Sequence, residues 1–277
     1  MNARTVNFIL PIIMIALFAC TGGDMTTETV TLPSIQDVPD TAWEKLSRKT
    51  IYFGHQSVGN NVMEGVKDVI KAQPKIELKV AEPDTPENFT GPGLVHFPVG
   101  QNMNPQSKID AFAKLLRDGV GQKADIAFFK FCYIDINRDT DIKTLFSAYV
   151  SAMDKLQKEY PSMDIVHMTV PLRVVQTGFK VPIKRLIGRP IGGYDDNAKR
   201  NEFNDLLKAK YDGSARIFDL AQIESTLPNG QRTTFRYNQN VYHALASEYT
   251  DDGGHLNGLG RKIVAEQLLV FLAQHGE

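Results

Sequence analysis

The chain has 277 residues, 42% hydrophobic and 23% charged, which excludes a disordered or fibrous protein and leaves room for one well-buried α/β domain. Its 31 basic and 32 acidic residues give a formal net charge of -1, so the chain as a whole carries no field to recruit nucleic acid or an anionic membrane.

Arg4 supplies a positive start, Phe8 to Phe18 an apolar run, and Leu17-Phe18-Ala19-Cys20 ends it, the pattern of an export signal. The run falls short of the roughly 20 residues a spanning helix needs. The tetrad resembles a bacterial lipobox, which implies a signal peptide over residues 1–19 and Cys20 as the lipidated first residue of a cell-envelope lipoprotein. An uncleaved anchor, or an ordinary signal peptide with an incidental Cys, is the alternative. Residues 20–42, rich in Thr, Gly, Asp and Pro, are expected to be a flexible tether, with the folded domain over 43–277. Acylation of Cys20 leaves Cys132 without a disulfide partner. Within Phe128-Phe129-Lys130-Phe131-Cys132-Tyr133-Ile134 it reads as a small core hydrophobe.

Thr50 to Gly54 is a short β-rich run feeding a helix with Val58, Val62, Val66 and Val69 or Ile70 on one face. Ile76 to Ala81 alternates like a second strand. A long polar loop is expected over residues 82–107, where Pro83, Pro86, Pro92, Pro98 and Pro105 fall, and a loop of that length is more often functional than idle. Helices are then expected over 109–116, 145–160 and 197–211, and strands over 125–133, 164–170 and 215–220. Between them, residues 171–193 form an irregular basic stretch, either a lid or substrate-facing insertion or a solvated loop. After a mixed region, a glycine-rich turn opens the last helix, over 259–273.

Strands separated by helices of 10–15 residues imply right-handed crossovers, a parallel sheet and helices on both faces. The expected fold is a single-domain α/β protein, a three-layer α/β/α sandwich on a five-stranded parallel sheet. Ligands of such sheets gather outside the carboxyl ends of the strands. Ser57 follows the first strand, and Asp252-Gly253-Gly254-His255 precedes the last helix, so both belong at that edge.

An Asp three residues before a His in a glycine-rich turn is a compact way to orient an imidazole as a general base. A serine hydroxyl is a weak nucleophile at neutral pH and needs such a base. Ser57, His255 and Asp252 therefore read as nucleophile, base and orienting acid. Ser57 as a helix N-cap, and the turn as a cap of the final helix, are the structural alternatives.

The order of these blocks resembles the SGNH (GDSL-like) hydrolase superfamily. Asp252-Gly253-Gly254-His255-Leu256-Asn257 is similar to its C-terminal block. Gly54-His55-Gln56-Ser57 departs from Gly-Asp-Ser and looks closer to the Gly-Gln-Ser form of carbohydrate O-acetylesterases, with His55 inserted. The resemblance implies an oxyanion hole built from the Ser57 N–H, Gly100 and, as no Gly-x-Asn-Asp block follows the third strand, Asn102. His55, Gln56 and Asp135 are candidate pocket residues, with a structural histidine and a solvated loop Asp as the alternatives for His55 and Asp135. His96, His167 and Asp135 show no close ligand spacing, so no metal and no cofactor are expected. The implied activity is a cell-envelope serine esterase, a carboxylic ester hydrolase, with acetylated carbohydrate as the favoured partner and the membrane reached through Cys20. A non-catalytic glycan- or peptidoglycan-binding lipoprotein and a sugar acyltransferase on the same fold are the alternatives.

Overall fold

A computed structural model describes residues 29–211, 213 and 216–275. The expected signal peptide, Cys20 and the first part of the expected tether lie outside the described residues. The chain opens on a short 3-10 turn, Ile35–Asp37, and helix α1 (Asp40–Ser47). The α/β core then runs β1 (Thr50–His55), α2 (Val58–Ala72), β2 (Val80–Ala81), β3 (Gly93–Pro98), α3 (Pro105–Leu115), β4 (Ile126–Phe129), α4 (Ile142–Glu159), β5 (Asp164–Ile165) and β6 (His167–Met168). It ends with α5 (Lys180–Leu186), α6 (Tyr194–Tyr211), β7 (Ile217–Phe218), α7 (Leu220–Ser225), a hairpin of β8 (Thr234–Tyr237) and β9 (Asn240–His243), and α8 (Gly258–Gln274).

Five strands form one parallel sheet in the order β2-β3-β1-β4-β5, as expected for the fold class. The chain passes straight from β5 into β6, which pairs in parallel with β7 and carries the pleat one strand further. Alternate side chains of the central strands serve two different cores. Ile51, Phe53, Leu94, Ile126 and Phe128 pack with α1, α2 and α8 on one face. Tyr52, Val95, Phe97, Ala127 and Phe129 pack with α3, α4 and α6 on the other. That two-sided burial makes three layers.

Several expectations are corrected. Gly93-Leu94-Val95-His96-Phe97-Pro98, expected inside a loop, is a buried strand beside β1. Four of its residues are apolar or aromatic with strand-compatible shapes, and the surrounding prolines obscure them without interrupting the ladder. Of the strand expected over 76–81 only Val80 and Ala81 pair, and the strand expected over 125–133 stops at Phe129. The tether ends earlier than residue 42: Val30 N–H donates to the Gly230 carbonyl at 2.9 Å, and Ile35 and Val38 are buried against the α1/α2/α8 core. No helix among the described residues is long and apolar enough to cross a membrane.

Helices α2 and α8 cross closely at Gly65. A Cβ there would stand 2.5 Å from the Arg261 carbonyl oxygen and 2.9 Å from Ala265 Cβ. On an open helix Gly65→Ala would gain up to about 1 kcal/mol of helix propensity. Here the helices must part, and overpacking of about 1–3 kcal/mol outweighs that gain. Gly65→Ala is expected to lower the urea midpoint, and a raised midpoint would mean the crossing is slack.

Candidate active site

Strand β1 delivers Ser57 to the carboxyl edge of the sheet. Gly54 lies where a Cβ would meet Phe97, Val99 and Phe129 at 3.1–3.2 Å, so neighbouring strands close tightly on it. Val99 N–H donates to the His55 carbonyl and Lys130 N–H to the Gly54 carbonyl, which holds the sheet together up to the last residue of β1. Ser57 then turns into α2 with φ 53° and ψ -109°, a left-handed conformation that a non-glycine residue adopts only when its surroundings enforce it. Its hydroxyl makes no capping bond to the helix. Ser57 Oγ instead lies 2.6 Å from His255 Nε2.

The His255 turn is built by one carboxylate used twice. Asp252 Oδ1 accepts from Gly254 N–H at 2.9 Å and His255 N–H at 2.8 Å, while Oδ2 sits 2.6 Å from His255 Nδ1. Thr250 Oγ1 accepts from Gly253 and Gly254 N–H, and Gly253 takes φ 81°, where a side chain would be strained. The His255 hydrogen bond, then the backbone donors, hold the Asp252 carboxyl far below the usual carboxylate range. An ionised carboxylate only accepts, so the imidazole proton belongs on Nδ1 and the Nε2 lone pair faces the Ser57 hydroxyl. Asn257 caps α8 directly behind the turn, accepting from Leu259 and Gly260 N–H.

Two residues without a sequence role fasten this turn to the rest. Asn61 Oδ1 accepts from Leu256 N–H at 3.2 Å, tying α2 to the residue after His255. Arg173 Nε donates to the Gly253 carbonyl at 3.2 Å, and its guanidinium lies over the Tyr133 ring at 5.1 Å. Tyr133 in turn meets the His255 ring edge-on, with centroids 5.7 Å apart.

The other two expected oxyanion residues, Gly100 and Asn102, lie on the loop after β3, which Gln56, next to Ser57 in the chain, holds through the Val99 and Gly100 carbonyls. Gly100 has φ 56°, and a Cβ there would stand 2.6 Å from the Lys108 backbone nitrogen, so the position requires glycine. Lys108 is fully buried, its Nζ donating to Asn102 Oδ1 at 3.0 Å and to Asp135 Oδ2 at 2.5 Å. With its carbonyl oxygen accepting from Lys108, the Asn102 amide keeps two N–H donors to offer a ligand. Lys108 is a third residue of the site without a sequence role. Its place among Ile109, Phe112 and Ala113 on the buried face of α3 was the available sign.

The three candidate pocket residues serve the scaffold. Asp135 has a fully covered side chain and accepts from Lys108, from Cys132 N–H at 2.6 Å and from Met103 N–H at 2.8 Å. Gln56 Nε2 donates to the carbonyls of Val99 and Gly100, strapping the loop to β1. His55 points into the protein, 3.1 Å from His96 Nδ1, and burial pushes its pKa down to about 2, Lys130 and His96 adding to the effect. His96, His167 and Asp135 are each paired separately, His167 with Tyr149 at 2.9 Å. No group of three His, Cys, Asp or Glu that would hold a metal occurs among the described residues. Cys132, buried as expected, donates weakly to the Gln56 carbonyl.

The walls of the site hang on α6. Its buried Asn197 pairs with both backbone groups of Arg173, Asn204 with both of Val170, and Asn201 with both of His243. Arg200 Nε donates to the Tyr133 carbonyl at 2.8 Å. The triad itself stays open, with the Asp252 and His255 side chains 56% and 43% exposed. A cavity of about 540 Å³ lies elsewhere, between Arg185, Arg189, Asp195 and Tyr237.

No protein-family model and no curated protein matches the chain. Among solved structures, it is similar to a Streptococcus pneumonia protein assigned as a platelet activating factor, at 13% identity and TM-score 0.47, covering 86% of this chain and 94% of that one. It is similar to a Desulfitobacterium hafniense protein assigned to the G-D-S-L lipolytic family, at 9% identity and TM-score 0.44, covering 81% and 99%. A third is the lipase Lip_vut3 from a goat rumen metagenome, at 10% identity and TM-score 0.45, covering 80% and 96%.

Glu224 of α7 accepts from Leu172 N–H beside Arg173, and complete burial raises its pKa to about 8. A carboxyl whose folded pKa lies above its unfolded value contributes stability that is full below the unfolded pKa and is lost as pH rises towards the folded one. The window here runs from about pH 4.5 to 8, with about 3 kcal/mol gone by pH 7. Urea midpoints of the unmodified chain are expected to fall across that window relative to Glu224→Gln, which keeps the acceptor for Leu172. Parallel curves would mean that Glu224 ionises normally.

Proposed function

We propose that this chain is a serine esterase of SGNH type, a carboxylic ester hydrolase acting through Ser57, His255 and Asp252. The observation that carries the proposal is the pair of 2.6 Å contacts, Ser57 Oγ to His255 Nε2 and His255 Nδ1 to Asp252 Oδ2. Ser57 Oγ attacks the ester carbonyl carbon while Nε2 takes its proton. Asp252 stabilises the imidazolium without taking the proton itself. The oxyanion meets donors from the Ser57 N–H, the Gly100 N–H and the Asn102 amide. Collapse expels the alkoxide, which takes the proton from His255, and leaves an acyl-serine. Water, deprotonated by His255, then releases the acid and restores Ser57.

The strained backbone of Ser57 favours catalysis over mere binding, since a recognition surface has no use for a serine held at φ 53° against an imidazole. The openness of the site favours a small acyl group projecting from a large molecule over a long chain needing an apolar tunnel. With the Gln56-Ser57 resemblance, that makes O-acetyl groups on carbohydrate the favoured substrate, met in the bacterial cell envelope by a lipoprotein anchored through Cys20.

Ser57→Ala is expected to lower turnover of a small acetyl ester by 10⁴-fold or more and to abolish labelling by a fluorophosphonate. Asn102→Ala is expected to cost about 10²–10³ in kcat, the usual loss for one oxyanion donor. Undiminished turnover or labelling in purified Ser57→Ala would remove Ser57 from the mechanism.

A further inference from the structure

The basic stretch over residues 171–193 contains α5 and has a pattern opposite to that of an ordinary surface helix. Phe179, Ile183, Leu186 and Ile187 stand at i, i+4, i+7 and i+8, one helical face. That face is turned outward: the four residues are 77%, 55%, 87% and 57% exposed. Val181 and Lys184 take the inner side, Val181 against the small core of Val175, Tyr194, Phe235 and Ala244, and Lys184 Nζ on Gln176 Oε1 at 2.7 Å. An apolar stripe shown to solvent on a monomer marks a surface that something else covers.

Charge identifies what covers it. From Pro171 to Gly193 there is no Asp or Glu, while Arg173, Lys180, Lys184, Arg185 and Arg189 are all basic. Lys180, Lys184, Arg185 and Arg189 form no ion pair with a carboxylate among the described residues. Asp195, the acid lining the neighbouring cavity, is engaged by Arg138 and the Tyr237 hydroxyl. The whole-chain charge of -1 averages this away, and with it the expectation that nothing here attracts an anionic membrane. An apolar stripe flanked by unneutralised cations fits the boundary between acidic headgroups and acyl chains, where apolar side chains enter and Lys and Arg stay at the phosphates.

The entry of the chain points the same way. Thr29 bridges to Gln231, and Arg185 donates to the Arg236 carbonyl, so the start of the described chain and α5 attach to one segment from Gln231 to Arg236. An extended stretch from Cys20 to Thr29 spans at most about 30 Å. This one support rests on the lipidation proposed above; the exposed stripe and its charges do not.

We propose that α5 with its flanks is a membrane-docking element, laying Phe179, Ile183, Leu186 and Ile187 into the headgroup boundary of an anionic phospholipid bilayer. Its roots, Arg173 and Val174 on one side, bond to the Gly253 turn, so docking brings the His255 edge of the domain towards the bilayer.

The chain contains one tryptophan, Trp43, which is 2% exposed, so Phe179→Trp would place a second indole on the stripe. With the full chain and vesicles containing phosphatidylglycerol, its emission is expected to shift to the blue and to be quenched by brominated acyl chains. In vesicles of phosphatidylcholine alone neither change is expected. Adding Arg185→Glu and Arg189→Glu is expected to raise the vesicle concentration required by about fivefold or more for each cation lost. Unaltered emission in vesicles that nevertheless sediment the protein would mean that the N-terminal anchor alone holds it, and would overturn the proposal. So would an equal response to neutral vesicles. A shift already present without lipid would show the stripe covered by another segment of the chain or by a second copy, which also overturns it. None of these outcomes depends on whether Ser57 is a nucleophile.

Discussion

The contact between Ser57 and His255 joins residues 198 positions apart, and most of the architecture is what makes that contact possible. A parallel sheet turns every strand's carboxyl end to one edge, which is why a residue just after the first strand meets a turn just before the last helix. Direction alone is too coarse, because a hydrogen bond tolerates only a few tenths of an ångström. The close α2–α8 crossing at Gly65 supplies the rest, since α2 begins directly after Ser57 and α8 begins two residues after Leu256, which Asn61 grips. The proposed nucleophile and base thus ride on the starts of two helices packed directly on each other.

The proposed oxyanion side is held by a different and more expensive device. A fully buried Lys108–Asp135 pair occupies space that apolar side chains would fill at least as stably, because desolvating two charges cancels most of their attraction. What apolar replacements would not supply is direction. Lys108 fixes the Asn102 carbonyl oxygen, and Asp135 fixes the backbone N–H groups of Met103 and Cys132, so one ion pair sets two loops on either side of Ser57. Asn197 and Asn204 of α6 work alike, each answering both the donor and the acceptor of a backbone, at Arg173 and Val170, that belongs to no strand. Polar groups are buried here where loops, having no ladder of their own, must still be held in one place.

The fold class and the acid-base half of the site were legible because both are written locally. Periodicity marks the long helices, and Asp252 to His255 is a four-residue unit whose spacing already contains its geometry. β3 was obscured because prolines at Pro92 and Pro98 flank it and suggested a loop, although Pro98 sits on the last ladder position. His55 and Gln56 read as pocket residues because they adjoin Ser57 in the chain, and Asp135 because it lies just past the third strand. Chain proximity, however, does not tell which way a side chain points on a twisted sheet: His55 is turned to the buried His96, and Asp135 is consumed by a lysine 27 positions away. Lys108 was invisible for the complementary reason. Its helix pattern predicts a buried position, and only the distant Asp135 makes a lysine acceptable there.

The same distinction between local and averaged quantities separates the two outer faces of the protein. Net charge sums over all 277 residues, and its value of -1 is compatible with any arrangement of those charges. Electrostatic attraction at a surface is screened within about 8–10 Å, so a membrane feels a patch and not a total. Lys180, Arg185 and Arg189 lie within ten residues of one another, without acids between them and on the segment that also exposes the apolar stripe. Because Arg173 at the start of that segment donates to the Gly253 carbonyl, α5 and the turn that carries His255 are tied together. The proposed recruitment and the proposed chemistry would thus be coupled through a single short stretch of backbone, the one between Arg173 and Phe179.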